Sequence, residues 1–432
     1  MTHEALGSAA VTIAFAIIGS ACGDSGPVSG DTSTDTVVDA PMDTTGDDGP
    51  EASCPAAALG ARLGTDHFLL GGSMRNEDFA LAPFEIGYQY ISGDVPDGGP
   101  CVDCRVDCTV RGSSCDNDVG CDWWGCWQWD EDPPGRFVAG YMADRSAAGA
   151  IPMFTYYVWF SVAGDVEGAD EIAAMQDGAR VQRFLADFRF LCQVMHEDPS
   201  ITGILHLEPD LWGYGHQISS DPTTIPVALS DAAAPECGSM GNDLAGLAGC
   251  MLAIARAEAP NVLVGFHASA WGAGHDALST SDPGVDLDAH ADATAAYMAA
   301  LGADRADLVV VEQSDRDAGF DDGWWDDTNA TRPNFAQAIG WVERLGESMS
   351  LAPLWWQVPY GNMSLENACH RYQDNRLDYF FDHRSEFAAG GAVGIAFGAG
   401  EGCQTTPEHD DGHFVSRALD YYASPGMPFC GE

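Results

Sequence analysis

Five apolar runs of strand length recur along the chain, and each ends in polar or aromatic residues. They are ITGILHLEPD from Ile201 to Asp210, VLVGFHASAW from Val262 to Trp271, DLVVVEQSDRD from Asp307 to Asp317, PLWWQVPYGN from Pro353 to Asn362 and AVGIAFGAGE from Ala392 to Glu401. Near-continuous Val, Ile and Leu runs suit strands buried on both faces, as in a parallel sheet covered by helices. Parallel α/β folds bind and react at the carboxyl ends of their strands, which is where these runs turn polar.

Three further strand candidates, His67 to Met74, Phe84 to Ile91 and Ile151 to Trp159, bring the number to eight. Between the runs lie stretches with a helical stripe: Ala169 to Met195, Asp243 to Ala259, Ala289 to Leu301, Asn334 to Glu347 and Asp374 to Ala388. Strands alternating with helices give βαβ units. Eight of them over about 360 residues predict an α/β fold of the (β/α)8 TIM-barrel type, with a distorted or seven-stranded barrel as the variant. No GxGxxG follows the first strand and no GxxxxGK[ST] occurs, so nucleotide binding has no support.

The 66 acidic residues face 18 basic ones, all Arg, for a net charge of -48. That charge opposes binding to nucleic acid or anionic lipid through a basic surface. The absence of Lys excludes Schiff-base chemistry. Residues 1–22 hold the apolar stretch AAVTIAFAII followed by Gly19, Ser20, Ala21 and Cys22, which resembles a bacterial lipoprotein signal with Cys22 as the lipidated residue. A plain secretory signal is the alternative, and the stretch is too short to span a membrane. Residues 23–53 are Asp, Thr, Gly, Ser and Pro with few large apolar side chains, and read as an acidic disordered tether. Residues 54–432 form the folded domain. The expected location is the cell envelope, anchored on the outer membrane or cell surface, or otherwise secreted, with the protein acting as a monomer.

Fourteen cysteines without a clear metal spacing agree with export. Six of them, Cys101, Cys104, Cys108, Cys115, Cys121 and Cys126, mark an insertion at about 100–127 stapled by disulfides, with zinc ligation through CVDC and CDWWGC as the lesser alternative. His409, Asp410, Asp411 and His413 could hold a metal, but no second cluster completes a site. No cofactor is expected.

In a barrel the polar strand ends converge on one face. There they would gather the carboxylates Glu208, Asp210, Glu312 and Glu401, the hydrogen-bonding groups His267, Gln357 and Asn362, and the aromatics Tyr157, Trp159, Trp212, Trp271, Trp355 and Trp356. Sugar rings pack their C–H faces on aromatic rings while their hydroxyls need donors and acceptors, so this mixture suits a carbohydrate. Glycosidic cleavage needs a carboxylic acid and a carboxylate. Glu208 and Glu312 lead as that pair, because strand alternation puts Ile204, His206 and Glu208 on one side. Asp315, Arg316 and Asp317 read as a local ion-pair turn, and Trp324 and Trp325 as possible cleft lining. No GxSxG elbow is present.

Glu208 followed by Pro209 resembles the acid/base position of the large retaining superfamily of barrel glycoside hydrolases, with Leu207 where an Asn is common. That superfamily's nucleophile ends strand seven, where this chain has Gln357. Glu208, Pro209 and Asp210 also resemble the Glu-Pro-Asp of glycoside hydrolase family 6, whose Asp is the general acid; HASAWGAG at 267–274 and GAGEGCQTT at 398–406 resemble other stretches of it. The resemblance implies an exported hydrolase of oligo- or polysaccharide with Glu208 or Asp210 as acid, Glu312 as nucleophile or base and Glu401 in reserve. A barrel that binds glycans without cleaving them is the alternative.

Overall fold

The computed structural model describes residues 54–93, 95, 134–232, 235–314, 316–400 and 402–431. The signal with Cys22, the tether, the cysteine-rich insertion, Asp315 and Glu401 lie outside the described residues. Eight strands close into a barrel in sequence order, each parallel to its neighbours: β1 (Leu69–Gly72), β2 (Ile86–Ser92), β3 (Ile151–Tyr157), β4 (Gly203–Leu207), β5 (Val262–His267), β6 (Leu308–Glu312), β7 (Ala352–Val358) and β8 (Gly394–Phe397). Closure comes from β1 pairing with β8, Leu69 to Gly394 through Gly72 to Phe397. The (β/α)8 expectation therefore holds with all eight strands, and the seven-stranded variant does not form.

Helix α1 (Pro55–Leu63) precedes the barrel, and α2 (Arg136–Ala147), α3 (Gly178–Met195), α4 (Leu244–Glu258), α5 (Leu287–Leu301), α6 (Phe335–Met349), α7 (Arg376–Ala389) and α8 (His413–Tyr422) follow β2 to β8 in turn. The single helix expected over 169–195 is two, Ala169–Ala174 and α3. Asp177 makes the break: its side chain accepts the N–H groups of Ala179 and Arg180 and caps α3.

Strand alternation divides the core in two. Leu69, Ile86, Met153, Ile204, Leu263, Leu308, Leu354 and Trp356 fill the barrel interior, while Leu205, Leu207, Val264, Val309, Val311 and Trp355 pack outward beneath the helices. Ala56 and Leu59 of α1 join the interior cluster, and Cys54 is bonded to Cys430. Among the described residues two further disulfides occur, Cys237–Cys250 tying the segment before α4 to that helix and Cys369–Cys403 joining two loops, and Cys192 is a buried free thiol. Among the described residues, no helix is long and apolar enough to cross a membrane.

Candidate active site

A cleft of about 630 Å³ opens at the carboxyl ends of the strands. Asp210, three residues past β4, and Glu312, the last residue of β6, both line it, with His267 and Ser269 from the end of β5 and Gln313 beyond β6. Its walls carry Trp271, Tyr214, Trp324 and Trp325, the carboxylates Glu167, Asp276, Asp321 and Asp322, and the guanidinium groups of Arg316 and Arg376. The half-buried phenol of Tyr90 lies within electrostatic reach of both Glu312 and Asp210, so the two carboxylates share one end of the barrel.

Glu208 does not line this cleft. Its backbone is left-handed, φ 42°, which breaks the two-residue alternation carrying Ile204 and His206 inward. The carboxylate instead accepts the N–H groups of Val158 and Trp159, each at 3.1 Å, at the start of the short helix Trp159–Ala163. It is fully buried, and desolvation pushes its carboxyl well above the usual range. The strand-periodicity reading that aimed Glu208 at the mouth is thus corrected by one left-handed residue.

Around Asp210 the carboxyl groups cluster. Tyr157 hydrogen-bonds it, and Tyr214 hydrogen-bonds Glu167. Glu171 is buried with neither carboxylate oxygen hydrogen-bonded among the described residues, and burial first, then Asp210 and Glu167, pushes it up to about 8. The group therefore keeps a proton at neutral pH beside Asp210.

Several expected ligands of a sugar serve the fold instead. Trp159 is buried edge-on against Phe184 and donates its indole N–H to the Glu171 carbonyl. Trp212 packs on Phe266 and donates to the Leu207 carbonyl. Trp355 points outward against Phe387 of α7, because its neighbour Trp356 takes the inward position. Asn362 is buried, donating to the Asp410 carbonyl and accepting from Ser364. Gln357 is buried with φ 57° and accepts a hydrogen bond from Tyr90. Of the aromatics singled out from sequence, Trp271 lines the cleft and Tyr157 bonds Asp210.

Ser314 Oγ bonds the Arg316 carbonyl and N–H, which forms the expected turn, and Asp317 beyond it is a buried junction. It accepts the N–H groups of Gly361 and Thr405 at 3.0 and 2.9 Å, and desolvation followed by Asp374 pushes it up to about 7. Asp374 in turn accepts the Ala318 N–H and pairs with Arg376. The loops after β6, β7 and β8 are bound together this way behind the cleft wall. The residues around 409–413 are likewise occupied: Asp410 caps α8, Asp411 pairs with Arg371 and His413 with Asp378. Among the described residues, no group of three or more His, Cys, Asp or Glu side chains is placed to hold a metal.

The residues missed from sequence are Tyr90, Tyr214, Glu167, Glu171, Thr155 and Arg376. All but Tyr90 and Thr155 lie outside the strand runs, and helical or loop residues carry no strand-end signal.

Neither a family model nor any curated protein matches the chain. Among solved structures it is similar to a modular endo-β-1,4-mannanase from Cellulomonas fimi, at 12% identity and a TM-score of 0.48, over 88% of this chain and 76% of that one. It is also similar to endo-glycoceramidase II from Rhodococcus sp., at 9% and 0.42 over 82% and 79%, and to the virulence factor SghA with its substrate analogue salicin, at 13% and 0.43 over 85% and 99%. The likeness to glycoside hydrolase family 6 finds no support.

Proposed function

We propose that this protein is an exported glycoside hydrolase that cleaves a neutral oligo- or polysaccharide, with Asp210 as general acid and Glu312 as nucleophile or base. The observation that carries this reading is the cleft itself, where Asp210 and Glu312 stand at the ends of β4 and β6 between Trp271, Tyr214 and Trp324. Two carboxyl groups flanking a bond supply the acid and the base that glycosidic cleavage requires. The aromatic walls offer faces for sugar rings. Six acidic side chains against two arginines disfavour a polyanionic glycan. Glu167 and Glu171 crowd their carboxyl groups around Asp210, and mutual repulsion favours a protonated member, which supports the assignment of Asp210 as acid; Glu401 remains a reserve carboxylate at the end of the β8 run. Export, with a lipid anchor at Cys22 and monomeric action, belongs to the same proposal.

The test is reducing-end release from a panel of neutral polysaccharides by wild type, Asp210→Asn and Glu312→Gln. Each substitution is expected to lower kcat by about 10²-fold or more. Activity surviving both would end the assignment. The buried Gln357 at the end of β7 favours a second reading, a barrel that binds glycans without cleaving them; binding by wild type with no sugar released would establish it.

A further inference from the structure

The barrel axis carries a chain of polar side chains that the proposed chemistry does not use. Thr155 Oγ1 on β3 lies 3.1 Å from Nδ1 of His206 on β4, and His206 Nε2 lies 3.1 Å from Nδ1 of His267 on β5. All three residues are buried. The Trp356 indole meets both imidazoles edge-on, with centroids 4.7 and 5.7 Å away. At the far end His267 lines the cleft, and its Nε2 has no hydrogen-bond partner among the described residues.

Each link of such a chain carries one hydrogen, so only two arrangements exist for neutral rings. In the first, the Thr155 hydroxyl donates to His206 Nδ1, His206 Nε2–H donates to His267 Nδ1, and His267 holds its proton on Nε2. In the second every link reverses, and His267 Nε2 becomes an acceptor. The second leaves the Thr155 hydroxyl hydrogen without an acceptor, because Oγ1 has only His206 as a partner among the described residues. In the first arrangement the one group left unpaired is His267 Nε2–H, which faces the cleft. The second leaves two, the Thr155 hydrogen and the bare Nε2 of His267. A further unpaired buried group costs about 1–3 kcal/mol, which selects the first.

We infer that Thr155 and His206 are positioning residues that lock His267 as a neutral Nε2–H donor in the floor of the cleft, where it binds an acceptor oxygen of the ligand. The nature of that oxygen, a sugar hydroxyl, rests on the glycan reading above. A hydroxyl is both donor and acceptor, so it can give its hydrogen to a cleft carboxylate while accepting from His267. Burial keeps both rings neutral: it pushes His267 down to about 3, and His206 is held well below its usual value by burial and then by His267. The donor is therefore present whatever the ionisation of Asp210 and Glu312, which share the cleft.

The tautomers can be read directly by long-range ¹H–¹⁵N NMR of ¹⁵N-histidine protein, with His206→Gln and His267→Gln giving the assignments. Wild type is expected to show both histidines as Nε2–H tautomers. Thr155→Val removes the selecting hydroxyl and is expected to populate the Nδ1–H form of His267, while Thr155→Ser keeps the wild-type pattern. His267 found as Nδ1–H or doubly protonated in wild type at pH 7 would overturn the inference, even if Thr155→Val failed to fold.

A second arm adds mannotetraose or cellotetraose to Glu312→Gln protein, with binding followed by calorimetry. A bound oligosaccharide should shift the His267 Nε2 resonance, and Thr155→Val in that background should weaken binding about 2- to 10-fold. Binding with the resonance unmoved overturns the ligand contact. Binding of neither probe counts against the glycan reading, and the tautomers of the free protein then decide the relay alone.

Discussion

The Glu208 carboxylate accepts the backbone N–H of Trp159 at 3.1 Å, so the residue that ends the β4 run is bonded into the loop that follows β3. Asp210, two residues on, is the one that faces the cleft. The pair separates a buried, backbone-bonded carboxyl from a cleft-lining one within three residues, and substitution can read that separation.

Glu208→Gln keeps an acceptor for Val158 and Trp159 and replaces a carboxyl that burial pushes well above its usual range. Activity is expected to stay within about one order of magnitude of wild type, against the large loss for Asp210→Asn. Glu208→Ala strands two buried N–H groups and should cost about 2–4 kcal/mol in chemical denaturation. A dead but fully stable Glu208→Gln would return the catalytic role to Glu208.

Glu171 makes stability depend on pH. Its carboxyl is up at about 8 in the folded protein against about 4.5 for the free group. Below the lower value both states are protonated and the contribution is whole; as pH rises toward 8 the unfolded chain gains by releasing the proton, and the contribution is lost. Between pH 5 and 8, wild type should lose about 1–3 kcal/mol more stability than Glu171→Gln, allowing for relaxation around the charge. Parallel curves for the two proteins would show that Glu171 ionises freely. The carboxyls of Asp210, Glu167 and Glu208 face it, so the same variant in Asp210→Asn should show a smaller difference.

The barrel was legible because eight buried parallel strands need apolar runs, and the runs are in the sequence with little noise. The face was legible for the same reason, and Asp210, Glu312, His267 and Trp271 were found on it. What strand periodicity could not carry is the direction of a side chain beyond the last ladder bond. A left-handed residue redirects Glu208, and nothing in its type announces φ 42°. Trp355 and Trp356 were indistinguishable as a pair, since one of two adjacent strand residues must point outward and composition does not say which. Thr155 and His206 read as interior strand residues, and their role lies in the long-range contact with His267.

Trp324 and Trp271 line the cleft while remaining partly exposed, so their truncation should tax the ligand more than the fold. Each Trp→Ala is expected to weaken oligosaccharide binding about 3- to 10-fold, the effect of losing one aromatic face. Trp355→Ala, by contrast, removes an indole packed on Phe387 and should cost about 3–5 kcal/mol of stability. Calorimetric titration and denaturation of the three variants distinguish the classes; weakened binding by Trp355→Ala at full stability would place that ring in the cleft.

Cys54 and Cys430 are bonded across 376 residues, joining the start of α1 to the chain end beyond α8. Ala56 and Leu59 pack in the barrel interior beside Phe429, so the bond holds in place the helix that contributes to the interior cluster. A cross-link stabilises chiefly by restricting the unfolded chain, and the effect grows with the length closed. The double variant Cys54→Ser, Cys430→Ser should lose about 2–5 kcal/mol against chemical denaturant under oxidising conditions. Cys237 and Cys250 close only 13 residues, and their double Ser variant should lose less. Equal losses would mean that native packing of α1, rather than chain restriction, sets the strength of the staple.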